Sequence, residues 1–291
     1  SLLLLQGQFK QGWIDFDYRF QTGTREHYPV DTLWRGEPIG DKKLLIHFEQ
    51  GLGDTVMFSR FLPQVQALCG ELIFKCQPTL INLLRQSFPN IESVAEGDAP
   101  GDFDVHLPLL SLGERLGLDE SNLPGNHPYL VATGRASLPD SGRLRVGLAW
   151  AGNPHHKKDA TRSIAWEQFA TLTGLDDIDY ICLQVGPRAE DCRGSSVISL
   201  GDQLSDCTAT AAVIGQLDLV ITVDTAVAHL AGALGKPTWV LVSTVPDWRW
   251  QLNRADSPWY PTVKLYRQRT REEGWPATLE RVKHDLAKRL A

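Results

Sequence analysis

The chain has 291 residues, 22% charged, with a formal net charge of −6. That length supplies two ordinary cores, and the acidic balance excludes the basic face a nucleic-acid partner needs. The five cysteines (Cys69, Cys76, Cys182, Cys192, Cys207) are odd in number and form no CxxC pair. A disulfide framework and a cysteine zinc site are therefore not expected, and a reducing compartment is. SLLLLQG at the start is too short to span a bilayer and lacks a basic flank; no transmembrane segment is expected, and a cytoplasmic location is.

Residues 1–40 read as a helical segment, LLLLQGQFKQGWIDFDYRF, followed by a polar connector. The cadence suits the end of a helical-repeat array. Lys43–Phe48 is a predicted strand that runs into EQGLGDTVMFSRFLPQV. There Gly51 and Gly53 permit a tight turn supporting Asp54, which starts a helix with Val56, Phe58, Phe61, Leu62 and Val65 on its apolar face. Pro63 bends it. A strand over Glu71–Cys76, a helix over Pro78–Phe88 and short strands near Ile91–Ala95 and Asp104–Leu107 follow. Strands alternating with helices predict a parallel sheet. The Pro, Gly and Asn of Asn122–Tyr129 and Gly134–Arg143 mark a domain boundary.

A second alternation begins with a strand at Arg145–Trp150, the polar loop AGNPHHKKDATRS and a helix over Ile164–Leu172. A strand at Asp179–Val185 and a helix at Thr208–Leu217 lead into LDLVITVDTAVAHLAGALGKP, residues 217–237. Leu219, Val220, Ile221 and Val223 form an almost unbroken apolar run, the mark of a strand buried on both faces. Asp224 and Thr225 are good helix N-caps, Ala226–Leu234 is a small-residue helix, and Gly235 with Pro237 stops it. Asp224, Thr225 and His229 thus fall at the carboxyl edge of a sheet beside a helix N-terminus, where α/β folds bind phosphorylated ligands. Strands at Thr238–Val242 and Val263–Arg267 and a helix from Pro276 to Leu290 end the chain.

The expected architecture is α/β, two Rossmann-like domains facing a cleft, of the type called GT-B. Its parts are a helical segment over 1–40, an acceptor-side domain over 41–138 and a nucleotide-sugar-binding domain over 139–275. A C-terminal helix over 276–291 returns to the first domain.

GLGD after the first strand and DTAVAHLAGALGKP after a late strand resemble the paired signatures of glycosyltransferase family 9, the ADP-heptose:lipopolysaccharide heptosyltransferases and their relatives. EQGLGD, RSI, DTAVAHLAGALGKP, DWRW and SPWYP, in this order, resemble most closely a bacterial subgroup in which such a domain follows tetratricopeptide repeats. The resemblance covers nearly the whole chain. It implies inverting transfer of a sugar from a nucleotide-sugar donor to an acceptor, without metal or other cofactor. It makes Asp54 the general base, and Asp224, Thr225 and His229 the donor-binding residues. Ala226 departs from the glycine those enzymes carry; Arg162 of RSI stands in for their lysine.

The chemistry suits those residues. A sugar hydroxyl is a weak nucleophile, so a carboxylate that takes its proton speeds attack. The leaving diphosphate needs preorganised donors, which the helix N-terminus at Thr225, Arg162 and Lys157 or Lys158 supply. Plainer roles compete: Asp54 as a helix cap, His229 as a core histidine, HHKK as a solvated loop, and Trp248, Trp250 and Trp259 as packing. Asp102–Asp104 (DFD) resembles a metal-binding DxD and reads as a turn. The acceptor, whether glycan, lipid or protein, is left open, as is peripheral membrane contact. A nucleotide-sugar epimerase and a non-catalytic nucleotide- or glycan-binding module are the rival readings. A nicotinamide dehydrogenase is disfavoured, since no GxGxxG follows a strand.

Overall fold

A computed structural model describes residues 2–19, 28–123 and 127–290. Part of the predicted connector (20–27) and of the boundary stretch (124–126) lies outside them. Two parallel sheets carry the fold. The first has β1 (Lys43–His47), β2 (Glu71–Cys76), β3 (Glu92–Ala95) and β4 (Val105–Pro108) in the order β3-β2-β1-β4. The second has β5 (Leu144–Ala149), β6 (Ile178–Cys182), β7 (Leu219–Val223), β8 (Thr238–Val242) and β9 (Val263–Arg267) in the order β6-β5-β7-β8-β9. In the second sheet the order reverses between β5 and β7, so a crevice opens beyond their carboxyl ends.

The unbroken apolar strands are explained by burial on both faces. Along β7, Leu219, Ile221 and Val223 enter one core and Val220 the other. One core lies between the two sheets. It joins Leu44, Ile46 and Phe74 of the first to Val220, Val240 and Leu265 of the second, so the two halves share it. Among the described residues the outer face of the first sheet has a thin cover: Tyr28 and Phe103 pack on Leu45, Ile73 and Val94.

Two short helices, α1 (Leu2–Leu5) and α2 (Phe9–Asp17), are fixed to this body. Trp13 is buried, its ring edge-on to Phe58 at 5.9 Å and to Trp248 at 5.4 Å, and its indole N–H donates to the Leu118 carbonyl at 2.8 Å. Gly113 leaves room for it, since a Cβ there would lie 2.4 Å from the indole. The predicted helix bent at Pro63 is two helices, α3 (Leu52–Ser59) and α4 (Leu62–Gln66).

The terminal helix (Pro276–Leu290) corrects the expectation that it returns to the first domain. Leu279, Val282 and Leu286 pack on the second sheet with Val146, Leu148 and Tyr266. Asp285 accepts from Tyr266 Oη at 2.7 Å and pairs with Lys264 at 2.6 Å. The helix therefore completes the outer layer of the second domain. No helix among the described residues is long and apolar enough to cross a membrane.

Candidate active site

The site lies where α3 of the first half meets α10 (Ala226–Ala233) of the second; the two helices pack against each other. Gly53 and His229 meet where they pack: a Cβ at Gly53 would sit 2.6 Å from His229 Cδ2. Close approach, and not a tight turn, demands this glycine. Neither Gly51 nor Gly53 has positive φ; Gly51 is extended at φ −73°, ψ 170°. The two sequence motifs, one from each half, therefore meet directly at one seam.

Asp54 sits in the first turn of α3 and is engaged on both oxygens. Oδ2 accepts from the Gly51 N–H at 3.0 Å, the capping contact. Oδ1 receives Nη2 of Arg249, which comes from the turn at Trp248–Trp250 in the other half. Arg249 also donates to Asp247 and lies over the Trp248 ring, 4.3 Å from its centroid. Burial pushes the Arg249 guanidinium down to about 9. Burial, with the nearby Asp224 charge second, pushes the Asp247 carboxyl up to about 7.

On the other side of the seam, β7 delivers Asp224 and Thr225 to the crevice edge, half-buried together with Ala226. Thr225 is the N-cap of α10, but its hydroxyl makes no capping bond; it lies 3.2 Å from Thr222 Oγ1. The first N–H groups of α10 thus keep their outward donor capacity. The predicted polar loop after β5 ends in a short helix, Asp159–Arg162, from which Arg162 reaches across and donates to the Asp224 carbonyl at 3.0 Å. Its guanidinium lies against Gly152, where a Cβ would come within 2.5 Å. Asp159 holds this loop: it accepts from Ser163 Oγ at 2.7 Å and from Arg188 at 2.8 Å. Burial raises the Asp224 carboxyl above its usual range, opposed first by the Trp250 indole and then by Arg162, His156 and Lys158. Lys158 itself is exposed on its loop.

His229 lies inside the seam. Its Nδ1 is 3.0 Å from Tyr260 Oη, its ring stacks on Trp250 at 5.3 Å, and burial pushes it down to about 3, so it is neutral. Trp248, Trp250 and Trp259 are all buried, in keeping with packing. Arg60 of the first half clamps the same seam, donating to the carbonyls of Leu123 and Trp259 and to Tyr129 Oη at 3.1 Å. Arg249 and Arg60 are invisible to local sequence reading because Asp54 and the Trp259 carbonyl lie 195 and 199 positions from them; Asp247 and Arg249 belong to the DWRW run, which gave a local signal. Of the DFD residues, Asp104 takes the Lys43 N–H at the start of β1 at 2.8 Å. Beyond β6 a cavity of about 380 Å³ is lined by Gln184, Gly186, Glu190, Leu200, Gly201 and Leu204, among others.

Comparison with known proteins bears on the fold. The family model described as glycosyltransferase family 9 (heptosyltransferase) matches residues 205–273, which hold β7, α10 and the Trp248–Trp250 turn. Protein FlbA of Caulobacter vibrioides is 27% identical over 97% of this chain and 53% of its own length. The chain thus spans about half the length of this curated relative. The glycosyltransferase family 9 structure from Veillonella parvula aligns at TM-score 0.56 with 13% identity, covering 84% of this chain and 91% of that one. E. coli heptosyltransferase WaaC with ADP gives 0.56 and 14%, covering 84% and 99%. E. coli ADP-heptose lps heptosyltransferase II gives 0.54 and 13%, covering 86% and 100%. These likenesses establish the two-domain GT-B fold.

Proposed function

We propose that this chain is a glycosyltransferase that moves a sugar from a nucleoside-diphosphate sugar to an acceptor hydroxyl, with inversion and without a metal. The observation that carries this reading is the direct packing of the Asp54 turn on the Asp224–His229 segment, one from each half. The family match over residues 205–273 supports it. Asp54 takes the proton of the acceptor O–H as the oxygen bonds to the anomeric carbon. The bond from that carbon to the diphosphate oxygen breaks, and the electron pair leaves with the diphosphate. Its charge is met by the first N–H groups of α10 at Ala226, by Thr225, and by Arg162 and Lys158, in place of a metal. The cavity beyond β6 takes the nucleoside. His229 fixes the donor helix on the acceptor helix. The five free cysteines suit a reducing, cytoplasmic setting.

Calorimetric titration with ADP, GDP and UDP, with and without EDTA, tests the donor half. One diphosphate should bind equally well in both. Thr225→Val should weaken it by ~1–3 kcal/mol, the scale of a hydrogen bond to a charged group. Because this hydroxyl caps no N–H, the melting temperature should hardly move. Metal-dependent binding, or unchanged affinity in Thr225→Val, refutes the assignment.

A further inference from the structure

The base and its neighbours hold one more piece of design. Asp54 is proposed to take a proton, yet each of its oxygens already accepts a hydrogen bond. The bond from Gly51 is local to the helix start and stays. The bond from Arg249 comes from a residue 195 positions away in the other half. A carboxylate paired with a guanidinium is a weak base, since the cation stabilises its charged form. Arg249 has to release Oδ1 before Asp54 can act at full strength. Arg249 is only 8% exposed, and a buried guanidinium is not left without an anion. Asp247 already shares it. Asp247 in turn feels the charges of Asp224, Lys158 and Arg162, the residues of the donor edge.

Resting on the donor and base assignments above, we propose that Arg249 masks Asp54 in the donor-free protein and transfers to the donor's diphosphate, so that donor arrival unmasks the base. The guanidinium fork suits the exchange: it already spans two carboxylates, and phosphate oxygens match the same geometry. Transfer then follows an order, donor first and acceptor second, because the acceptor hydroxyl meets a competent base only after the diphosphate has claimed Arg249. An unmasked Asp54 facing water in the absence of donor is avoided.

A double-mutant cycle on diphosphate affinity tests this, using whichever of ADP, GDP and UDP binds tightest by calorimetry. If Asp54 and the diphosphate compete for Arg249, Asp54→Asn should tighten binding by about fivefold or more, the lower end of a coupling between sites. Arg249→Gln should weaken it by about tenfold or more, the loss of one charge-assisted bond. In the Arg249→Gln background the Asp54→Asn gain should vanish. If Arg249→Gln does not fold, Arg249→Lys replaces it in the cycle; a single ammonium cannot span both carboxylates, and the gain should fall by half or more. An Asp54→Asn variant with unchanged affinity, or the same gain in both backgrounds from simple charge repulsion, overturns the proposal while leaving the donor assignment intact. Failure of all three diphosphates to bind overturns both.

Discussion

Gly53→Ala tests the seam where Gly53 packs on His229. In an exposed helix this change stabilises, by ~0.5–1 kcal/mol, because glycine loses more backbone entropy on folding. Here the new methyl would lie 2.6 Å from His229 Cδ2 and 3.3 Å from Nε2. The imidazole has little freedom to retreat, since Tyr260 Oη holds Nδ1 and Trp250 covers its face. Overpacking of this kind costs ~1–3 kcal/mol, so the sign reverses to a net loss of about 1–2 kcal/mol. At ~2–4 °C per kcal/mol for domains approaching this size, the midpoint should fall by roughly 2–8 °C. Gly174→Ala is the matched control: its φ is −91° and a Cβ there meets nothing within 4 Å. It should raise stability by ~0.4–1 kcal/mol through the unfolded state. Differential scanning calorimetry on both variants decides the matter. A Gly53→Ala protein that melts at or above wild type would refute the contact between the two motifs.

His229→Phe keeps the ring on Trp250 and removes the titrating group. Burial holds His229 at about 3, against an ordinary 6.5 in the unfolded chain. Between these values the unfolded state binds the extra proton, so wild-type stability falls as pH drops from 6.5 towards 3. The variant should lack this contribution and gain on wild type by up to ~1.4 kcal/mol per pH unit in denaturant titrations; parallel profiles would contradict the burial. Trp13→Ala should cost ~3–5 kcal/mol. Because the ring touches both halves, calorimetry should still show one transition at lower temperature; loss of only the first half's signal would show that the halves melt independently.

The alternation of strands and helices was legible because β7 and β8 are buried along their whole length and so read as apolar blocks. β7 and α10 stood out for that reason, as did the glycine-rich start of α3. What was not legible depends on distant partners. Asp54 looks like a cap locally, and it is one; nothing near it in the chain announces Arg249. Gly53 looks like a turn glycine, yet the side chain it makes way for is His229 of the other half. The last helix has a clear apolar stripe in Leu279, Val282 and Leu286, but a stripe shows that a face is buried without naming what covers it.

The seat of Trp13 bears on how the chain is made. Its floor is Gly113 and Phe58, but two of its walls, Trp248 and Trp259, belong to the far end of the chain. On a ribosome adding roughly 5–20 residues per second, the indole waits on the order of tens of seconds before its pocket exists. During that interval α2 and the finished first sheet expose an aromatic surface that the second half will later cover. Such a nascent chain is a natural client for holding chaperones until the Trp248–Trp259 segment docks on α2.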